Sequence, residues 1–216
     1  MKLVILAGGY GTRLAEETKV KPKPLVKIGN KPIVWHLLKI YSHYGINDFI
    51  ICLGYKGELL VKELNQISKN ENWNIKYVKT GLKTMTGGRI KKIQKFIKND
   101  ENFCLSYGDG LSDINLRKLV KFHKKHKKVV TLTAVHPPAR FGELKLSGNV
   151  VKSFQEKPQL QDGWINGGFF VLNRKIFSFI KNKKIVFERE PLTKISQKKK
   201  LFGFKHLGFW HCMDTI

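Results

Sequence analysis

Leu3-Val4-Ile5-Leu6-Ala7-Gly8-Gly9-Tyr10-Gly11-Thr12-Arg13-Leu14 passes from an unbroken apolar run into three closely spaced glycines and an arginine. The run, Lys2 to Leu6, predicts a buried strand, and the glycines predict a loop at its C-terminal end, where open parallel sheets bind ligands. Glycines let the backbone approach a phosphate or a base and turn N–H groups toward an anion. Arg13 adds a permanently charged fork for phosphate oxygens. The loop is neither of two commoner nucleotide loops. The spacing Gly-x-x-x-x-Gly-Lys-Ser/Thr is absent, and Leu14 stands where a dinucleotide loop needs its third glycine. By itself a plain glycine-rich turn would read the same way. A short distance on, Lys21-Pro22-Lys23-Pro24-Leu25 is held extended by its two prolines, which fix where the lysines point. Such a segment can deliver a cation to a triphosphate, or be an ordinary surface turn.

From that loop outward the pattern alternates. Helices are predicted over Pro32 to His43, Glu58 to Ile67, Gly88 to Ile97 and Leu116 to His123, and strands over Asp48 to Leu53, Trp73 to Val78 and Phe103 to Tyr107. Repeated strand-helix units imply an α/β protein with a mostly parallel sheet flanked by helices. The second half changes character. Val129 to Val135, Gly142 to Leu146, Val150 to Gln155 and Ile165 to Leu172 read as strands with short turns, a small added β region, followed by helices near Arg174 to Ile180 and Pro191 to Gln197.

Composition narrows the class. With 216 residues, 42% of them hydrophobic, the chain suits one domain with a sizeable core. No apolar run approaches the roughly 20 residues of a membrane span, and Met1 to Leu6 lacks the pattern of a signal peptide. Cys52, Cys104 and Cys212 have no metal-like spacing and read as reduced residues of a cytoplasmic protein. The net charge of +25 invites a nucleic-acid reading. Its basic residues are 35 Lys and only 6 Arg, scattered along the chain, whereas dedicated binders favour arginine forks. Neither nucleic acid nor membrane is therefore expected as a partner; a positive field would still steer anionic small molecules inward.

Asp109 lies in Gly108-Asp109-Gly110 directly after an apolar strand, where a carboxylate has room for a hard cation and a nucleotide, although a turn residue fits too. Glu156-Lys157-Pro158 fits a strand-ending turn, and Asn166-Gly167-Gly168 a bulge. The seven histidines form no zinc-like pattern, and no serine or cysteine sits in a nucleophile elbow.

Gly8-Gly9-x-Gly11-Thr12-Arg13-Leu14 followed by Lys21-Pro22-Lys23-Pro24-Leu25 resembles the signature of the sugar-phosphate nucleotidyltransferases. Further stretches are similar to the branch of that family that uses CTP and glucose 1-phosphate: Ala15-Glu16-Glu17-Thr18, Lys31-Pro32-Ile33-Val34-Trp35-His36, Thr84-Met85-Thr86-Gly87-Gly88-Arg89, Tyr107-Gly108-Asp109-Gly110, Ser153-Phe154-Gln155-Glu156-Lys157-Pro158, Ile165-Asn166-Gly167-Gly168-Phe169-Phe170 and Gly208-Phe209-Trp210. The resemblance spans essentially the whole chain. It implies the nucleotide-diphospho-sugar transferase fold, a Rossmann-like mixed sheet, with residues 1–125 as nucleotide half and 126–216 as sugar-phosphate half. It implies that Leu6, Ala7, Gly8, Gly9, Tyr10, Gly11, Thr12 and Arg13 hold the nucleotide, with Lys23 on the triphosphate and Thr84, Arg89 and Gly108 nearby. Asp109 and Asp214 would share Mg²⁺, Lys157 would grip the sugar phosphate, and Glu156, Asn166 and Gly167 would line the sugar. Arg13, Lys23 and Asp109 would carry the catalytic work. The product, CDP-glucose, would feed deoxysugar synthesis for cell-surface lipopolysaccharide (O-antigen).

The chain departs from that family twice. A segment between Ile67 and Trp73 and the C-terminal extension after Ile216 are both missing, so Asp214 is expected near a fraying end. Three alternatives stay open: the same chemistry with another nucleotide or sugar, such as dTTP; a non-catalytic nucleotide-sugar binding protein; and a basic nucleic-acid-binding domain. Self-association into a homo-oligomer is left open as well.

Overall fold

Strand β1 (Lys2–Ala7) lies in the middle of the sheet and is buried on both faces, as an apolar run without alternation requires. The computed structural model describes residues 1–10, 20–137, 143–155 and 163–213. On one side β1 pairs in parallel with β4 (Asp48–Leu53), which pairs in parallel with β5 (Asn74–Lys79). On the other side it pairs in parallel with β6 (Asn102–Tyr107). Beyond β6 lie β11 (Ile165–Asn173), antiparallel to both its neighbours, then β8 (Val130–Val135), then β12 (Leu201–Lys205) parallel to β8. The seven-stranded order is β12-β8-β11-β6-β1-β4-β5, with β11 alone running against the rest.

Side chains alternate between two cores. Leu3, Ile5 and Ala7 face α1 (Ile33–His43), α2 (Gly57–Ile67) and α4 (Leu116–His126). Val4 and Leu6 face α3 (Thr86–Lys92), α5 (Glu190–Gln197) and the 3-10 segment Arg174–Phe179. Pro32 precedes α1, and the Asn115 side chain accepts the Lys118 N–H to start α4. Among the described residues, no helix is long and apolar enough to cross a membrane.

The second half does more than append β structure. β8 and β11 enter the central sheet: Phe169 to Leu172 is apolar on successive residues and needs cover on both faces, and Val130–Val135 is covered on both, its two threonines included, Thr133 donating to the Phe169 carbonyl. The separate piece is the hairpin of β9 (Glu143–Ser147) and β10 (Val150–Gln155). Two shorter ladders join β2 (Lys27–Ile28) to β3 (Lys31–Pro32) and β7 (Gly110–Ser112) to β13 (Trp210–Cys212).

His123, 1% exposed on the inner side of α4, ties that helix to the sheet. Its Nδ1 lies 2.8 Å from Thr131 Oγ1 and its Nε2 3.1 Å from Asn102 Oδ1. Asn102 Oδ1 also accepts from Asn173 Nδ2, so Nε2 is assigned the proton and neutral Nδ1 accepts from Thr131. Burial, with nearby His126 adding to it, pulls the His123 pKa down to about 4. The folded state therefore resists a proton that the unfolded chain accepts near pH 6.5. Stability is expected to fall as pH drops from about 6.5 to about 4, by on the order of 3 kcal/mol. Urea midpoints across that window should fall less steeply for His123→Asn than for the parent chain.

Candidate active site

The sheet order reverses around β1: the chain runs on to β4 on one side and returns through β6 on the other, leaving a crevice above their C-terminal ends. A cavity of about 980 Å³ occupies that place, with Leu6 to Tyr10 on one wall and Ser106 to Gly110 on the other.

Gly8 is required by a close approach. Its carbonyl accepts from Arg89 Nη2 at 2.8 Å, and a Cβ on Gly8 would fall 2.0 Å from Arg89 Nη1. Gly54, at the end of β4, is equally constrained, since a Cβ there would sit 2.4 Å from the Gly8 carbonyl oxygen. Tyr10 leans on Tyr55, their ring centroids 5.3 Å apart. Gly11, Thr12 and Arg13 lie outside the described residues.

Lys23 opens a 3-10 turn, Lys23–Leu25, that packs Pro24 over Gly108. The turn buries Lys23 to 9% exposure and places its Nζ 2.6 Å from Asp109 Oδ2. Asp109 itself stands between the end of β6 and the start of β7. Its backbone carbonyl accepts the Met213 N–H at 2.9 Å, next to the ladder pairing Gly110 with Cys212. The chain is thus anchored against Asp109 up to the residue before Asp214, which lies outside the described residues.

Thr84 and Arg89 also line the cavity. Thr84 Oγ1 donates to the Thr80 carbonyl at 2.6 Å, closing the turn after β5. Arg89 is 4% exposed, and its guanidinium donates to the Gly8 carbonyl, the Leu53 carbonyl at 3.1 Å and the Thr80 hydroxyl. Burial lowers its pKa. Arg89 thus holds the loop from beneath and ties together the ends of three adjacent strands.

Across the cavity, β11 shifts register between Asn166 and Phe170, so the bulge and the lining role coexist. Asn166 Oδ1 accepts the Gly168 N–H at 2.9 Å, and the Gly167 carbonyl accepts from Trp210 Nε1 at 2.7 Å. Glu156 and Lys157 lie outside the described residues.

The sequence assigns no role to Gly54, Tyr107, Glu188 or Trp210. Tyr107 and Trp210 carry a signal, each being part of a stretch quoted for the resemblance. Glu188 carries none, because its partners, Thr86 and Tyr107, come from α3 and β6. Burial and the charge of Glu188 push the Tyr107 pKa far up, so the phenol keeps its proton.

A glycine loop after a central strand, an ion pair after the next strand and a roomy crevice between them define a nucleotide-handling α/β enzyme. The nucleotidyl transferase family model matches residues 2–206, and the chain belongs to that family. It is 48% identical to the glucose-1-phosphate cytidylyltransferase of Salmonella typhi, over 100% of this chain and 92% of the relative. Similarity to the mannose-1-phosphate guanyltransferase of Saccharomyces cerevisiae is lower, 31%, over 97% of this chain and 60% of the relative. Among solved structures, HddC from Yersinia pseudotuberculosis complexed with GMP-PN superposes with a TM-score of 0.79 at 26% identity, covering 99% of this chain and 94% of that one.

Proposed function

We propose that the chain transfers a cytidylyl group from CTP to glucose 1-phosphate, giving CDP-glucose and pyrophosphate. The observation that carries the reading is the Lys23–Asp109 pair set into the crevice beside the glycine loop. The choice of CTP and glucose 1-phosphate is supported by the 48% identity along the whole chain to a relative of that name. In this reading residues 1–125 receive the nucleotide, residues 126–216 the sugar phosphate, and the enzyme works in the cytoplasm.

The chemistry asks for no base. A sugar phosphate has a second pKa of about 6, so its oxygen is already anionic near pH 7. That oxygen forms a bond to the α-phosphorus, the bond from α-phosphorus to the bridging oxygen breaks, and pyrophosphate leaves. The protein must bring two anions together and offset the charge that develops. Lys23, held by its prolines, brings a buried cation to the Asp109 side of the crevice, and Arg13 would add another. Arg89 keeps the Gly8 backbone in place beneath the nucleotide. Lys157 would hold the sugar phosphate, and Asn166, with Glu156, would meet the sugar hydroxyls.

The donor set suits Mg²⁺. Asp109 offers hard oxygens that already draw a cation to 2.6 Å, and Mg²⁺ needs only one or two carboxylates beside water and substrate phosphates. Asp109 and Asp214 would hold it. Once bound, it would neutralise charge on the reacting phosphates.

A pyrophosphate-release panel of CTP, dTTP, UTP and GTP against glucose 1-phosphate and mannose 1-phosphate tests the assignment. The expected outcome is turnover with CTP and glucose 1-phosphate well above every other pair; a preference for dTTP would reassign the base. Lys23→Ala should lower kcat about 100-fold, the scale of losing one charge-stabilising donor. A parental rate in that variant would remove Lys23 from the mechanism.

A further inference from the structure

The cavity contains a carboxylate that no part of the proposed mechanism uses. Glu188 sits on its wall, delivered by a segment that docks closely on the start of α3. A Cβ on Gly88 would lie 2.4 Å from the Lys183 carbonyl oxygen, and one on Gly87 2.8 Å from that of Ile185. The Met85 N–H donates to the Lys183 carbonyl, the Phe187 N–H to Thr86 Oγ1, and Phe187 is wholly buried. The backbone is therefore fixed without help from the Glu188 side chain. A negative charge is an unwelcome wall for a cavity that must admit two polyanions, so its presence calls for a specific task.

Its hydrogen bonds define that task. Glu188 Oε2 accepts from Thr86 Oγ1 at 2.6 Å and Oε1 accepts from Tyr107 at 2.7 Å. A phenol has one proton, so Tyr107, having donated it, presents only an acceptor to Asn166 Nδ2, 3.3 Å away. Asn166 Oδ1 already accepts the Gly168 N–H, so the amide cannot flip without losing both contacts. The series Thr86, Glu188, Tyr107, Asn166 thus has a single direction. It leaves one Nδ2 hydrogen of Asn166 as a donor and further lone pairs of Glu188 as acceptors. A sugar hydroxyl both donates and accepts, whereas a phosphate would be repelled by Glu188.

We infer that Glu188 is a positioning residue of the sugar subsite: through Tyr107 it sets the orientation of Asn166, and its charge directs the hydroxyl-bearing ring, not a phosphate, to this wall. The inference rests on the proposed reaction for its substrate. Glu188→Gln keeps the shape but cannot accept from both Thr86 and Tyr107. It should raise KM for glucose 1-phosphate about tenfold, the scale of one misdirected buried hydrogen bond. KM for CTP should change less than about twofold, with Tm unchanged. Tyr107→Phe, which cuts the link with the carboxylate in place, should act in the same direction. Equal rises in both KM values, or unchanged kinetics in both variants, would overturn the inference. Should the parent chain release no pyrophosphate, the transferase reading fails separately, and calorimetric titration with glucose 1-phosphate and with inorganic phosphate decides this one. A roughly tenfold weaker Kd for glucose 1-phosphate alone in Glu188→Gln supports it. Equal Kd values for the two proteins, or no binding to the parent chain, overturn it.

Discussion

Asp109→Asn should lower kcat about 1,000-fold, equivalent to about 4 kcal/mol of lost transition-state stabilisation, and leave the fold standing. The expectation follows from where the carboxylate is. Its strand, β6, is buried and paired on both sides, and the Asp109 carbonyl, not its side chain, anchors the Met213 N–H. The substitution therefore leaves the backbone contacts alone. What it removes is charge, in a place built for charge. Asparagine still offers an oxygen to Lys23 but is a poor ligand for Mg²⁺, which prefers anionic oxygens. It also takes a negative charge from beside the buried Lys23 ammonium, so some loss of stability, on the order of 1 kcal/mol, should accompany the change. Pyrophosphate release across a Mg²⁺ titration separates the two effects. A rate that recovers fully at high Mg²⁺ would mean that Asp109 tunes affinity only. A parental rate at all concentrations would remove it from the proposal.

Asp109 was visible in sequence because Gly-Asp-Gly after an apolar run is a local pattern, and so was β1, whose run ends at glycines. Elements whose meaning lies in distant partners were harder to read. Leu201–Lys205 is a half-buried edge strand after three lysines, and only its parallel register with Val130 to Ala134 makes it a strand of the central sheet. Ile90, Ile93 and Ile97 are all buried as their spacing suggests, yet the helix gives way to a 3-10 turn at Gln94–Phe96, which presents the same apolar face. Gly87 and Gly88 belong to a stretch quoted for the resemblance, and Gly88 opens a predicted helix. Their tighter constraint is the passage of Lys183 to Ile185, more than ninety positions downstream in a chain whose spacing cannot announce it. The same dependence on long-range packing hid Glu188 and Gly54.

The resemblance sets Arg89 near the nucleotide, and the structure shows what holds it there. Its guanidinium lies under the loop, donating to the end of β1 at Gly8, the end of β4 at Leu53 and the Thr80 hydroxyl just past β5. All three acceptors are neutral, and they sit on three neighbouring strands. A planar fork with five N–H donors can reach all of them at once; an ammonium is a compact point donor on a flexible stem and cannot. Arg89→Lys is therefore expected to behave as a disruptive change. It should take a charged donor from two buried carbonyls and the Thr80 hydroxyl, at about 1–3 kcal/mol each, partly relieved where Leu53 keeps its bonds from Thr80 and Gly8 a long one, 3.4 Å, from the Tyr55 N–H. The net loss in unfolding free energy should be about 3 kcal/mol, and kcat should drop at least about 100-fold as the Gly8 backbone loses its support. Gly8→Ala should reproduce the defect from the other side, because the added methyl occupies the guanidinium's place. Denaturant midpoints measured with pyrophosphate release on the same preparations check both parts. If Arg89→Lys weakened CTP binding alone, with stability and kcat at parental values, the guanidinium would be a ligand contact and the role as a brace under the loop would be wrong.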